Sequence, residues 1–398
     1  MVNEIRSQPA KGAFLLYQGL VTTFVRLPWW ILSSAAPAAR PRRSWTFKQA
    51  LLRKGIHLAQ DEFVRVKGFN FISDAEHPIT GPDVKLSWAD PVPEALLTPQ
   101  IQEWMRITKV STARIPGYWI DGAGHGSTPA GAPPSKGERV LYHFHGGGYV
   151  RMSAAPHDLA GKIIDGIMEH APSIIRTFNL EYRLASAPPD ESANAFPAAL
   201  LDAIAGYVYL VRDVGFAPED IILSGDSAGG NLALALARYL VENAGLDGLP
   251  AVPRSLLLLS PWVDLTGSHD KQAIADGLFE SDYLSLPGTA VRQYSLDAFL
   301  GPLGHDGSLS RYISPASVDG RAEPVSFRGF PRTFVSGGSG ESFAPSIRLL
   351  VKRMREDIGD ECTYVEAPDA VHDFLAFPFW EPERTNTLKA IGSWIAEL

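Results

Sequence analysis

The stretch Ile221-Ile222-Leu223-Ser224-Gly225-Asp226-Ser227-Ala228-Gly229-Gly230 decides how this chain is read. It opens as a short apolar strand and runs on into an alanine-rich helical segment over residues 231–239. A serine caught between strand and helix, with glycine two positions away on either side, is the pattern of a nucleophile elbow. Gly225 and Gly229 remove the side chains that would collide in so sharp a turn. The start of the helix then favours negative charge developing near Ser227.

Working outward, apolar runs of strand length recur at 139–144, 173–178, 220–224, 254–260, 332–336 and 361–366. Helix-like segments at 157–170, 198–214, 228–243 and 346–357 separate most of them. Strand and helix in regular alternation predict an α/β chain, a largely parallel sheet covered on both faces. Right-handed crossovers bring the strand C-termini to one edge, where sites in open α/β sheets lie. Residues 262–310 break the rhythm, with helical pieces and no strand, and read as an insertion beside that edge.

Directly after the first of these strands stands His145-Gly146-Gly147-Gly148-Tyr149. Consecutive glycines let backbone N–H groups approach a ligand closely. Donors from Gly147 and Gly148, joined by the N–H of Ala228, would cradle a tetrahedral oxyanion, worth about 2.7–4 kcal/mol per donor. A phosphate loop is the rival, but the Lys-Ser/Thr pair it needs does not follow. His143 and His145 suggest a metal only weakly, because no third ligand stands nearby in the sequence.

These motifs, taken together, resemble the hormone-sensitive-lipase-like family of α/β-hydrolase carboxylesterases, with the flavour of its fungal members. Tyr182-Arg183-Leu184-Ala185 followed by Phe196-Pro197-Ala198-Ala199 looks like the family's paired stretch, here separated by extra residues 186–195. Residues 259–265 and Ser314-Pro315 match as well, so the likeness runs from about Leu141 to the C-terminus. The resemblance implies a mostly parallel eight-stranded sheet with a helical cap, and hydrolysis of carboxylic esters by a serine nucleophile without metal or organic cofactor. His372 lies on the loop after the last strand, where the family places its base. The usual aspartate motif is missing. Counting back from the following helix, Glu341 in Gly340-Glu341-Ser342-Phe343 falls where that acid would stand, and Asp369 is the rival. Tyr149 and Asp226 are expected to border the substrate pocket, though Tyr149 could equally pack beneath it and Asp226 could be a helix-start residue.

The implied division is a helical cap segment over residues 1–60, hydrolase core over 61–261, a cap insertion over 262–310 and core again over 311–398. Phe14, Leu15, Trp29, Trp30, Leu278, Phe279, Tyr283 and Leu284 would then supply an apolar pocket. The substrate expected is an ester with small to medium apolar acyl or alcohol groups. Two rivals stay open: a biosynthetic hydrolase or cyclase acting on a thioester or lactone, and a non-catalytic small-molecule receptor.

Composition narrows the remaining classes. Of 398 residues 45% are apolar, enough for a core of about 250–300 residues with an appended piece. With 36 basic against 44 acidic side chains the net charge is −8, which disfavours nonspecific nucleic-acid binding. One cysteine, Cys362, excludes an intrachain disulfide and a cysteine-built zinc site. The expected partner is a small-molecule ester, and the expected location intracellular. Residues 13–32 are almost wholly apolar, with Gln18, Thr22 and Arg26 recurring every fourth residue as one polar stripe. A packed or membrane-leaning amphipathic helix, a membrane anchor and a cleaved signal all remain open for this segment, so membrane-surface contact is an expectation here.

Overall fold

Eight strands hydrogen-bond into one sheet: β1 Lys85–Ala89, β2 Ile115–Asp121, β3 Arg139–Phe144, β4 Ile174–Leu180, β5 Ile221–Asp226, β6 Ser255–Leu259, β7 Arg332–Gly338 and β8 Cys362–Ala367. Their order is β1-β2-β4-β3-β5-β6-β7-β8, with β2 antiparallel to both neighbours and every later pair parallel. The computed structural model describes residues 8–66, 75–80, 84–122 and 128–398.

Burial on both faces explains why the central strands are continuous apolar runs. Ile221 and Leu223 of β5 join one core cluster with the helices Ala198–Val208, Ala228–Glu242 and Ala344–Ile358. Ile222 points the other way, into a second cluster with Leu159–His170 and Glu383–Ala396. Leu256 and Leu258 of β6 divide from Leu257 and Leu259 in the same manner. A period of two with both phases apolar is the mark of a parallel sheet under two helical layers.

The two strands that the alternation did not predict, β1 and β2, form the antiparallel edge. Pro116 and Gly117 in β2 look like turn residues, but Gly117 is there for packing. A Cβ on it would lie 2.2 Å from the ring of Phe178 on β4. Residues 209–214, expected as helix, widen into a π turn that ends at Gly215, whose φ of 92° only glycine adopts easily.

Over 262–310 the regular elements are all helical, Asp270–Ala275, Leu278–Ser281, Ala290–Leu300, Gly301–Leu303 and Gly304–Gly307, as the missing strand pattern implied. The N-terminal helix Phe47–Val66 packs on Ala290–Leu300. Arg53 ties the two segments further, donating from Nε to Asp282 O at 2.7 Å and from Nη2 to Phe279 O at 3.0 Å. Ahead of it, helices Ala10–Val21 and Leu27–Ala35 are joined by a π turn, Thr22–Arg26. Arg26 Nη1 donates to Gln18 Oε1 (2.6 Å) and Thr22 Oγ1 (2.9 Å), which closes the polar stripe upon itself. No residue of Ala10–Arg26 is buried. Among the described residues no helix is long and apolar enough to cross a membrane.

Candidate active site

Ser227 follows β5 in a conformation that non-glycine residues rarely take, φ 51° and ψ −116°. Such strain costs about 1–3 kcal/mol and persists only where the surroundings over-determine it. Here the stretch after β5 is clamped to the β6 side: Ser227 N donates to Leu259 O at 2.9 Å, and Ser227 O accepts from Trp262 N at 2.9 Å. A Cβ on Gly225 would sit 2.2 Å from Gly229 O, so the flanking glycines are needed as the sequence implied.

His372 follows β8, and its Nε2 lies 2.8 Å from Ser227 Oγ. Its Nδ1 is 3.3 Å from Glu341 Oε2, off the line of a well-formed hydrogen bond. Glu341 is wholly buried, and that burial pushes its carboxyl up to about 7. The neighbouring Asp373 puts Oδ2 3.1 Å from the same Nε2, and burial lifts this carboxyl to about 6. Burial alone would lower the imidazole of His372, but Asp373 and Glu341 outweigh it and raise its pKa well above 6.5. Serine, imidazole and two carboxyls therefore share one proton network in a desolvated space.

Asp282 was not singled out by sequence reasoning. It is fully buried in the insertion, and its Oδ1 accepts from His372 N (3.2 Å) and Tyr283 N (2.8 Å). Its Oδ2 accepts from Ser342 N (2.8 Å) and Ser342 Oγ (2.9 Å). One carboxylate thus links the histidine loop, the Glu341 loop and the insertion. Asn231 is the second such residue. Its Nδ2 donates to Trp262 O (2.9 Å) and Ile313 O (2.8 Å), while its Oδ1 accepts from Tyr149 (2.7 Å). A lone amide one turn after Ser227 in an apolar helix was the available signal; nothing comparable marks Asp282.

The glycine loop lies against the elbow. Gly147 has φ 104°, and a Cβ there would strike Arg151 O at 2.1 Å. Gly147 and Gly148 line the cavity beside Ser227, and Ala228 is the first residue of its helix. Tyr149 and Asp226 correct the expectation that they border the pocket, since neither lines the cavity. Tyr149 is buried, stacked on Phe299 at 3.8 Å. Asp226 Oδ1 meets His143 Nε2 at 3.1 Å, and its Oδ2 fills the space where a Cβ on Gly146 would go. Both hold the glycine loop from beneath. His145 stacks on Tyr182 at 4.2 Å, and burial lowers it to about 4, so it is neutral and its Nδ1–H donates to Gly146 O at 2.7 Å. Among the described residues no cluster of three or more metal-ligating side chains forms.

Asp369 faces away from the imidazole. Its Oδ2 accepts from Ser44 Oγ at 2.6 Å and its carbonyl from Trp45 Nε1 at 2.7 Å. It anchors the N-terminal arm instead. The cavity over Ser227 measures about 70 Å³, room for two or three waters. Its walls include Trp262, Phe279, Tyr283, Leu284, Val291 and Phe343. Five of the eight expected pocket residues are thus corrected: Leu15 and Trp29 are exposed, Phe14 and Trp30 are half-buried away from the cavity, and Leu278 is buried without reaching this space. A larger open groove of about 1060 Å³ lies on the other side of Arg292 and touches neither Ser227 nor His372.

A family model described as alpha/beta hydrolase fold matches residues 141–376. Esterase LipU of Mycobacterium tuberculosis is 30% identical over 271 residues, covering 67% of this chain and 81% of that one. An esterase of Acinetobacter venetianus is 28% identical over 268 residues, covering 65% and 75%. The crystal structure of EstE7, a hormone-sensitive-lipase homologue from a metagenome library, superposes with a TM-score of 0.55 at 25% identity, covering 87% and 92%.

Two outcomes follow from this geometry. Asp282→Ala leaves the buried N–H groups of His372 and Ser342 without an acceptor, at about 1–3 kcal/mol each. Calorimetry should show a clear loss of stability, smaller for Asp282→Asn; unchanged melting would mean the loops are held otherwise. Asp373→Asn removes a negative charge 3.1 Å from His372 Nε2, so the imidazole should titrate at lower pH by NMR. A titration that stays put would leave Glu341 alone responsible for the raised value.

Proposed function

The chain belongs to the hormone-sensitive-lipase-like family of α/β-hydrolases and is a carboxylic-ester hydrolase; from this premise we propose that it acts through Ser227, His372 and Glu341 on esters with small to medium apolar acyl or alcohol groups. The observation that carries this reading is the 2.8 Å approach of His372 Nε2 to Ser227 Oγ at a strained elbow.

In the proposed reaction His372 Nε2 takes the hydroxyl proton as Ser227 Oγ bonds to the ester carbonyl carbon. The N–H groups of Gly147, Gly148 and Ala228 hold the oxyanion, and Glu341 steadies the imidazolium through Nδ1. As the intermediate collapses, the C–O bond to the alcohol breaks and the alcohol leaves with the proton from His372. Water then repeats the sequence on the acyl-enzyme: His372 takes its proton, and Ser227 Oγ leaves with that proton restored. Asp373, beside the same Nε2, raises the imidazole pKa and so delays full base activity to higher pH. The segment 1–60 and the insertion 262–310 act together as the cap. Support for this comes from their packing through Arg53 and from Gln60, Phe279 and Tyr283 on one cavity wall. No specific observation favours the thioester, lactone or receptor readings.

The test is a p-nitrophenyl ester series from acetate to long acyl chains. Wild type should turn over short esters best, because the cavity above Ser227 is only about 70 Å³. Ser227→Ala should lose roughly 10⁴-fold or more in kcat. A folded wild type inactive on every ester would sink the reading. Glu341→Ala should cost on the order of 10⁴-fold in kcat while Asp369→Ala leaves it near wild type; the reverse pattern would move the acid to Asp369.

A further inference from the structure

Ten of the fifteen exposed large apolar side chains among the described residues fall within one segment, 15–32. Leu16 is 66% exposed, Phe24 72%, Trp29 65% and Leu32 71%. They do not lie on one stripe, as side chains awaiting a partner's groove would. They cover most of the helix circumference, interrupted by Gly19, Thr23 and the stripe of Gln18, Thr22 and Arg26, in which Arg26 bonds to the other two side chains. A helix in this state presents an apolar surface with its main polar stripe already partnered, which suits hydrocarbon better than water or a protein surface.

Charge narrows the choice further. From residue 8 to residue 60 there is no Asp or Glu, against eight Lys and Arg, in a chain whose net charge is −8. Trp29 and Trp30 sit near the end of the apolar helix, and exposed Arg43 and Lys48 follow close behind. Aromatic rings followed by cations match the layering of an acyl boundary beneath anionic headgroups. Arg26 within the apolar stretch argues for a helix lying in the surface.

We propose that residues 10–35 form a docking helix that beds in the surface of an anionic phospholipid bilayer. The arm after it is pinned to the body: Arg40 Nε donates to Ser34 O at 2.9 Å, and Ser44 and Trp45 bond to Asp369. Docking of the helix therefore tethers the whole hydrolase domain. The proposal does not depend on the catalytic reading.

Co-sedimentation of the full chain with extruded vesicles tests it. Binding to mixed phosphatidylcholine and phosphatidylglycerol vesicles should exceed binding to phosphatidylcholine alone by about tenfold at low ionic strength, and fall as salt is added. The triple variant Leu16→Asp, Phe24→Asp, Leu32→Asp should lose that binding while its thermal melting stays unchanged. A tag fused at the N-terminus should remain open to protease outside sealed vesicles. Absence of vesicle binding, or salt-insensitive binding that ignores headgroup charge, would overturn the proposal. A protected tag would replace it with a crossing helix. Self-association without vesicle binding, abolished by the same triple variant, would assign the surface to a second copy of the chain.

Discussion

The 2.8 Å contact between Ser227 Oγ and His372 Nε2 joins residues 145 positions apart, and the rest of the structure is arranged around keeping it. The serine leaves β5 and the histidine follows β8, with β6 and β7 between them. Three strand spacings put those strand ends about 14 Å apart, so the histidine loop has to reach back across two strands. It is held there by short-range bonds to each element it passes. Ser339 Oγ accepts from Asp369 N (2.7 Å), Ser260 Oγ from Asp373 N (3.2 Å), and Asp282 from His372 N.

Holding an imidazole this way concentrates acid groups around it. Glu341, Asp373 and Asp282 are carried by three different segments, and all lie close to His372. Asp282 takes four donors, three of them from the loops it positions. Glu341 and Asp373 have fewer partners, and burial pushes both of their carboxyls upward. Burial is the largest cause of both upward shifts, and the charge of the nearby His372 only partly opposes it.

Asp282 also explains why the insertion is more than a cover. The segment that walls the cavity with Phe279, Tyr283 and Leu284 is the one whose carboxylate fixes the histidine and glutamate loops. Arg53 joins it to the N-terminal helix, and Asp369, the rival acid by sequence, binds the arm preceding that helix. The pocket walls and the proton network are therefore mechanically one unit. Ala10–Arg26 stands apart from that unit, with no buried residue.

Six of the eight strands, the elbow, the glycine loop and the strandless stretch 262–310 were legible in the sequence, because each rests on a local rule. Apolar runs form buried strands, paired glycines relieve one turn, and absence of a strand pattern leaves helical pieces. β1 and β2 were not legible, since Pro116 and Gly117 look like a turn until Phe178 arrives from β4. The places of Tyr149 and Asp226 beneath the glycine loop, of Asp369 on the N-terminal arm, and of Asp282 at the junction of three loops depend on groups distant in sequence. By itself the sequence determined the architecture and pointed to the residues proposed to react, since backbone conformation and burial period act over a few neighbouring positions. Only the tertiary structure decided which carboxylate serves which partner, because a charge's role in a desolvated site is set by the donors that folding brings to it.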